Sequence, residues 1–441
     1  MKLVVIGGNA AGMSAASRVK RKSPDWDVTV LEQTHEISYG ACGLPYYVAG
    51  LNNDLNLVRI RSAAVFEESG IRVKLGCDVN NVDFDEKQVI YTNENGETRT
   101  ESYDKLLIAS GSSPKVPPID GITKRGIYTL KTPEQAEILR NAILSGCSKI
   151  VIVGGGYIGL ELAEACILRK IPEIHIIEAL DRLLNVFDPE FSEAVKAELE
   201  SHNVHVHTGE KVMSFSGGDE VSGVITDKGR YEADAVILCI GVSPNTGFAG
   251  NGIAKIRNGA LLTSPAMETS VKDVYAAGDC ATSWHKLLDK PVYIALGTNA
   301  NKQGRLAGDA ILGKPVCYKR NLGTSMLRCM NVELAKTGLD ETECKENDIN
   351  YKAVTVQTRS HARYYPDYCM LTIKLCYMED THVLMGAQIM GRKEAAWRID
   401  AFACAIDQGM TTEELGFVDL GYAPPFASAW DAIQIAANAS K

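Results

Sequence analysis

Residues 149–178 read KIVIVGGGYIGLELAEACILRKIPEIHIIE, and their order decides the fold. A β-branched run of strand length, Lys149–Val153, enters a glycine turn, Gly154–Gly159. Leu160–Arg169 then reads as a helix, and Glu173–Ile177 as a second strand ending at Glu178. Gly154, Gly156 and Gly159 stand at the spacing of a dinucleotide turn. In such a turn one glycine makes the bend, one lets a pyrophosphate approach the backbone, and one lets helix and strand pack closely. An acid about 20 residues on accepts hydrogen bonds from the ribose hydroxyls, which is the place of Glu178.

The same unit opens the chain. Lys2–Ile6 is a strand, Gly7, Gly8 and Gly12 form the turn, and residues 12–22 read as a helix stopped by Ser23-Pro24. Asp27–Leu31 is the second strand and Glu32 its acid. Asn9 stands where the middle glycine is expected; asparagine tolerates unusual backbone angles better than most residues, so this turn still reads as competent. One glycine-rich turn is common in proteins. Two copies, each between a strand and a helix, predict two dinucleotide sites.

Beyond residue 321 the texture changes. VTVQTR, CMLTIKLCY and VLMGAQIMG read as antiparallel strands, followed by helical segments near 395–408, 412–415 and 428–438. The 441 residues fit about three domains. With 45% apolar and 23% charged residues, the chain is neither disordered, collagenous nor a small disulfide scaffold. A net charge of −9 without any basic domain argues against nucleic acid. No apolar run approaches membrane-spanning length, and Leu3–Ile6 is too short for a signal peptide, so a cytoplasmic protein is expected. The 12 cysteines include no C-x-x-C pair, and no metal site is expected. At least nine read as small apolar core residues, Cys239 and Cys404 among them.

Further segments carry a family resemblance. Leu106–Pro114 (LLIASGSSP), Ala235–Pro244 (AVILCIGVSP) and Val274–Ala281 (VYAAGDCA), together with both turns, resemble the flavin-dependent pyridine nucleotide–disulfide oxidoreductases over the whole chain. The resemblance implies an α/β fold of two Rossmann-like domains, one inserted in the other, plus a C-terminal α+β dimerisation domain. FAD would bind 1–112 with 246–320, NADH or NADPH would bind 113–245, and 321–441 would form the homodimer. It assigns cofactor binding to Gly7, Gly8, Ala11, Gly12, Glu32, Ser38, Val79, Ala109, Ser110, Gly111, Asp279 and Ala295 on the flavin side. On the nicotinamide side it assigns Gly154, Gly156, Ile158, Gly159, Glu178 and Gly241, with Lys131 and Glu161 flanking the flavin.

Ser38–Tyr47 (SYGACGLPYY) resembles the single-cysteine branch of that family: coenzyme A disulfide, persulfide and polysulfide reductases, and NADH oxidases or peroxidases. Cys42 would be its redox thiol. A place at the start of a short helix running to about Val48 is expected to lower its pKa. The first turn has Ala10 and Ala11 where the oxidases and peroxidases carry a histidine, which counts against peroxide chemistry. HARYYP (361–366) and GYAPPFASAW (421–430) resemble the coenzyme A-linked reductases, where partner-subunit tyrosines approach the sulfur; Tyr365, or its neighbour Tyr364, and Tyr422 match. With Lys441 as the last residue, the rhodanese extension of some persulfide reductases is not expected. Arg18, Lys22 and Arg61 are candidate cations for coenzyme A phosphates. The expected activity is NAD(P)H-dependent reduction of a small thiol's disulfide, with coenzyme A carried on Cys42 as a mixed disulfide. The rivals are an NADH oxidase using a Cys42 sulfenate, an electron-transfer flavoprotein serving a small redox protein, and a flavin-bound sensor.

Overall fold

The structure, a computed structural model, describes residues 1–440. Lys2–Ile6 is the middle strand of a five-stranded parallel sheet, flanked by Asp27–Leu31 and Ile71–Lys74 on one side and by Lys105–Ile108 and Val274–Ala276 on the other. Leu3, Val4 and Val5 are fully buried, as expected of a strand covered on both faces. Helix α1, Ala10–Lys22, crosses from the first strand to the second. A second five-stranded parallel sheet repeats the plan, with Lys149–Val153 in the middle, Glu173–Ile177 and Val204–His207 on one side, and Ala235–Leu238 and Ile127–Tyr128 on the other.

Ser112–Pro114 and Val242–Pro244, which lead out of and back into the first unit, pair with each other as a two-stranded antiparallel ribbon. Helix α2 (Leu44–Ala49) follows Cys42, helix α3 spans Pro133–Leu144, and helix α4 (Tyr157–Leu168) leaves the second glycine turn. Helix α5, Gly297–Ile311, lies along α1: a Cβ on Gly304 would meet the Ala11 carbonyl at 2.2 Å, so only glycine allows this approach.

The C-terminal part is a five-stranded antiparallel sheet in the order Ser325–Cys329, Val332–Gly338, Leu384–Gly391, Met370–Met378, Tyr351–Arg359. Helix α6, Ile399–Gln408, covers it with Phe402 and Ile406 buried. A buried ionic cluster ties this sheet to the second parallel unit. Lys374, with its side chain 7% exposed, reaches Asp188 (3.0 Å), Glu190 (2.8 Å) and Glu341 (2.6 Å). Gln388 exchanges two hydrogen bonds with Asp188, and Lys336 donates to the Val186 carbonyl. Both parallel units and the terminal antiparallel sheet thus match the expected α/β architecture.

Every strand expected around the glycine turns forms within the expected bounds, but both helices start earlier, at Ala10 and Tyr157. The glycines do not delay the helix; they begin its first turn. Two small antiparallel sheets, Asp78–Ser102 and Val212–Glu232, are additions that no glycine motif announces.

Candidate functional site

The two glycine turns are built alike. Gly7 and Gly154 adopt φ of +105° and +107°, open to glycine alone at low cost. A Cβ on Gly12 would lie 1.9 Å from the Gly7 carbonyl, and one on Gly159 would lie 2.1 Å from the Gly154 carbonyl. These glycines therefore seat the helix on its strand. Nothing lies within 4 Å of where a Gly156 Cβ would stand, which leaves the space in front of the helix clear.

The acids are held by backbone. Glu178 Oε2 accepts from Gly155 N (2.7 Å) and Oε1 from Leu180 N (2.8 Å). Glu32 Oε2 accepts from Gly8 N (2.7 Å), and its Oε1 from Thr34 N and Oγ1 (2.9 and 2.8 Å). Each carboxylate is fixed beside its turn, Glu178 with two lone pairs left for sugar hydroxyls and Glu32 with one. Asn9 departs from the expectation: its backbone is ordinary extended chain (φ −108°, ψ −151°). Its side chain earns the place instead, because Oδ1 accepts from Tyr39 N (3.1 Å) and ties the first turn to the loop that leads to Cys42.

Both turns open onto one cavity of about 2270 Å³. That is more than twice the roughly 1000 Å³ at which ordinary ligand pockets end, so one small molecule would not fill it. Its wall includes Gly7, Gly8, Ala11, Glu32, Val79, Ala109, Ser110, Gly111, Asp279 and Ala295 from the first unit. The second unit contributes Gly154, Gly156, Ile158, Glu178 and Gly241. Gly12, Gly159 and Ser38 stand behind the wall. Ser38 holds the left-handed φ of +50°, donates its N–H to the Gly8 carbonyl and accepts at its own carbonyl from Ile60 N.

Asp279 Oδ2 accepts from Lys131 Nζ and Ser112 Oγ, both at 3.0 Å, which joins the two units across the cavity. Asn299, in the first turn of α5, is 6% exposed and its Oδ1 has no partner. The start of α5 has no side-chain cap. An orphaned acceptor beside uncapped N–H groups, facing the cavity next to Ala295, fits a large polar ring system with donors and acceptors on its edge. Asn299 was not singled out in the sequence; the only hint is its place at the start of a helix rich in small residues.

Cys42 lies on the wall in a single 3₁₀ turn, Ala41–Gly43, immediately ahead of α2. Its thiol is not lowered as expected. The recess strips water from it and pushes its pKa up, Glu161 adds to this, and Lys131 opposes it. The short turn has no side-chain cap, and its helix is too brief to outweigh the desolvation. Glu161 itself is pushed up to about 7 by burial, with Glu164 contributing. Tyr39, beside Cys42 on the wall, rises to about 12, again mainly through burial.

The other candidates separate into two groups. Tyr364, Tyr365 and Tyr422 are exposed, in loops of the terminal part rather than on the cavity wall, and the Tyr364 and Tyr422 hydroxyls bond each other. Within one chain they do not meet Cys42. Arg18 is engaged by Asp309 of α5, bidentate at 3.0 and 2.8 Å. Arg61 stacks on Phe66 at 5.9 Å, and Lys22 is exposed at the end of α1. Nine cysteines are buried or half-buried, but Cys404 is exposed on the cavity wall, because on α6 its neighbours Phe402, Ala405 and Ile406 take the inner face. Asp400 and Asp407 line the wall beside it. Among the described residues no group of three or more His, Cys, Asp or Glu is arranged to hold a metal, and no helix is long and apolar enough to cross a membrane.

The pyridine nucleotide-disulphide oxidoreductase model matches residues 1–304, and the dimerisation-domain model of that family matches 326–433. The chain belongs to this family. It is therefore an oxidoreductase of a class that works with FAD and a pyridine nucleotide. It is 38% identical over 444 residues to a CoA-dependent NAD(P)H sulfur oxidoreductase of Pyrococcus furiosus, covering all of this chain and 99% of that protein. The solved NAD-dependent persulfide reductase of A. fulgidus superposes with a TM-score of 0.95 at 34% identity, over 99% of this chain and 82% of its own. The water-forming NADH oxidase of Lactobacillus brevis superposes with a TM-score of 0.96 at 31% identity, over 100% and 98%.

Proposed function

We propose that the chain is an NAD(P)H-dependent reductase of coenzyme A disulfide, coenzyme A persulfide or polysulfide, working through the single thiol of Cys42. The observation that carries the reading is the position of Cys42 in one cavity with both glycine turns, next to Tyr39 and facing the cation Lys131. Cys404 is the other exposed thiol on that wall, but it is carried by α6 of the terminal part and not by the loop that Asn9 ties to the first glycine turn.

Residues 1–112 with 246–320 hold FAD, residues 113–245 hold the nicotinamide nucleotide, and 321–441 make the homodimer. Glu32, Gly7, Gly8, Gly111 and Asp279 bind the flavin nucleotide; Glu178, Gly154, Gly156 and Gly241 bind NADH. The flavin, when bound, supplies a two-electron path from NADH to the cysteine sulfur. The Cys42 thiolate attacks the incoming disulfide, forms a mixed disulfide with one coenzyme A and releases the other as a thiolate. An electron pair then cleaves the mixed disulfide, returning the Cys42 thiolate and a second coenzyme A. The balance is one NADH and one proton consumed for two thiols formed. Tyr365 and Tyr422 of the partner subunit deliver protons to the departing thiolates. Lys22 and Arg61 remain as cations for the coenzyme A phosphates; Arg18, held by Asp309, is left with a structural role.

NADH consumption with coenzyme A disulfide, polysulfide, oxygen alone and no acceptor tests the reading. Turnover with either sulfur acceptor well above that with oxygen is expected. Equal rates with oxygen alone would replace it by the oxidase reading, which the likeness to the water-forming NADH oxidase keeps in view.

A further inference from the structure

Helix α2 begins just after Cys42 and ends at Gly50, and its last carbonyls are held by two arginines from the inserted unit. Arg169, at the end of α4, donates from Nε to the Val48 carbonyl at 2.8 Å. Arg140, on α3, donates from Nη1 to the Tyr47 and Asn52 carbonyls, both at 3.3 Å, and from Nη2 to Asn53 Oδ1 at 2.6 Å. Its guanidinium lies 4.4 Å from the Tyr47 ring centroid. Gly50 makes room for this grip: a Cβ there would stand 2.6 Å from Arg169 Nη2.

This arrangement is poor as a device for stability. Among the described residues neither arginine has a carboxylate partner; burial, with repulsion from Arg140 adding to it, holds the Arg169 guanidinium below its usual range. Arg169 Nη2 is buried without any partner. Orphaned buried donors are costly, and where a fold keeps them a functional reason is the usual one. The compensation is narrow and directed: cations at a helix C-terminus satisfy its free carbonyls and suit its dipole.

We propose that Arg140 and Arg169 are positioning residues for Cys42, fixing the far end of α2 so that its start holds the thiol at the cavity wall. The inference rests on the reading of Cys42 as the redox thiol. It assigns the inserted unit a second duty besides nucleotide binding. Both helices that bear the arginines start at the cavity, α4 at Gly156 and α3 beside Lys131, so the thiol and the nucleotide turn are referred to one frame.

The test uses the holoenzyme with Arg140→Met, Arg169→Met and Arg169→Lys. Ferricyanide draws electrons from the reduced flavin without a thiol; coenzyme A disulfide requires one. Misplacing a reacting group by about 1 Å costs up to ~10²-fold, so both methionine variants are expected to lose tenfold or more of coenzyme A disulfide turnover. Ferricyanide turnover and FAD content should stay near wild type, and Arg169→Lys should restore most of the loss. The rate at which iodoacetamide alkylates Cys42, followed on its own peptide, should change in both methionine variants. Parallel loss of both activities, or unchanged alkylation, overturns the inference. Cys42→Ser run alongside separates the two claims: if it keeps coenzyme A disulfide turnover, the redox reading falls, and the alkylation rates still decide the arginines.

Discussion

Cys42 and Arg18 show how far a residue's neighbours decide its use. The Cys42 thiol is raised by its recess, while the Lys131 cation beside it works the other way. Cys42→Ser is expected to bind FAD and accept hydride from NADH normally, because neither step uses the sulfur. Reduction of coenzyme A disulfide and polysulfide should fall by orders of magnitude, since a serine hydroxyl stays un-ionised near neutral pH and cannot form the mixed disulfide. Retained turnover in a coupled NADH assay would remove the single-cysteine mechanism. For Arg18 the pair with Asp309 points to stability. Hydrogen bonds from Arg18, then Lys314, hold the Asp309 carboxyl down to about 2 against an ordinary 3.8. A depressed acid stabilises the fold above its unfolded value and loses that contribution as pH falls toward the folded one. Arg18→Met should therefore unfold more readily above pH 4, and the difference from wild type should shrink between pH 4 and 2. A large rise in KM for coenzyme A disulfide with unchanged acid unfolding would instead return Arg18 to the substrate site.

At the scale of elements, the two glycine turns carry most of the chemistry and were also the most legible. Their strands, acids and helices could be read because each glycine answers a backbone demand: a positive φ at Gly7 and Gly154, a contact with a carbonyl at Gly12 and Gly159. Glu178, with both oxygens tied to backbone N–H groups, is expected to favour NADH, because a 2′-phosphate would face a fixed negative charge. Glu178→Ala should narrow the ratio of kcat/KM for NADH over NADPH by about tenfold or more, in keeping with the worth of charge-assisted hydrogen bonds. No change in the ratio would show that Glu178 does not read the ribose. What the sequence withheld are features set by tertiary contact. The acceptor of Asn299 is buried and orphaned at the cavity wall, which no local pattern shows. Cys404 turns outward only because Phe402 and Ile406 claim the inner face of α6. Asn9 was read as a backbone substitute for glycine, whereas its side chain does the work, through a bond to Tyr39 thirty positions away that no local pattern displays.

Across the whole molecule, loops and a helix end of the terminal part bear Tyr364, Tyr365, Tyr422, Phe417, Phe426 and Trp430, all exposed within one chain. So many large aromatics are unusual on a free surface, and residues 326–433 match a dimerisation domain. Sedimentation at assay concentration should find a dimer. Mixed dimers of Cys42→Ser with Tyr422→Phe chains should regain activity through the one site that receives both intact groups; activity no higher than that of the parent variants would place each site within one chain. The ion cluster at Lys374 has a consequence for heating. The buried Lys374 ammonium, paired with the buried Asp188 and the half-exposed Glu190, binds the inserted unit to the terminal sheet across segments far apart in sequence. The penalty for keeping such charges dry eases as temperature rises, so this joint gains on warming relative to apolar contacts, whose stabilisation per unit area levels off. Scanning calorimetry should accordingly record these two regions in a single endotherm. Lys374→Met, which leaves the buried Asp188 without its cation at a cost of about 3–5 kcal/mol, should split that endotherm in two.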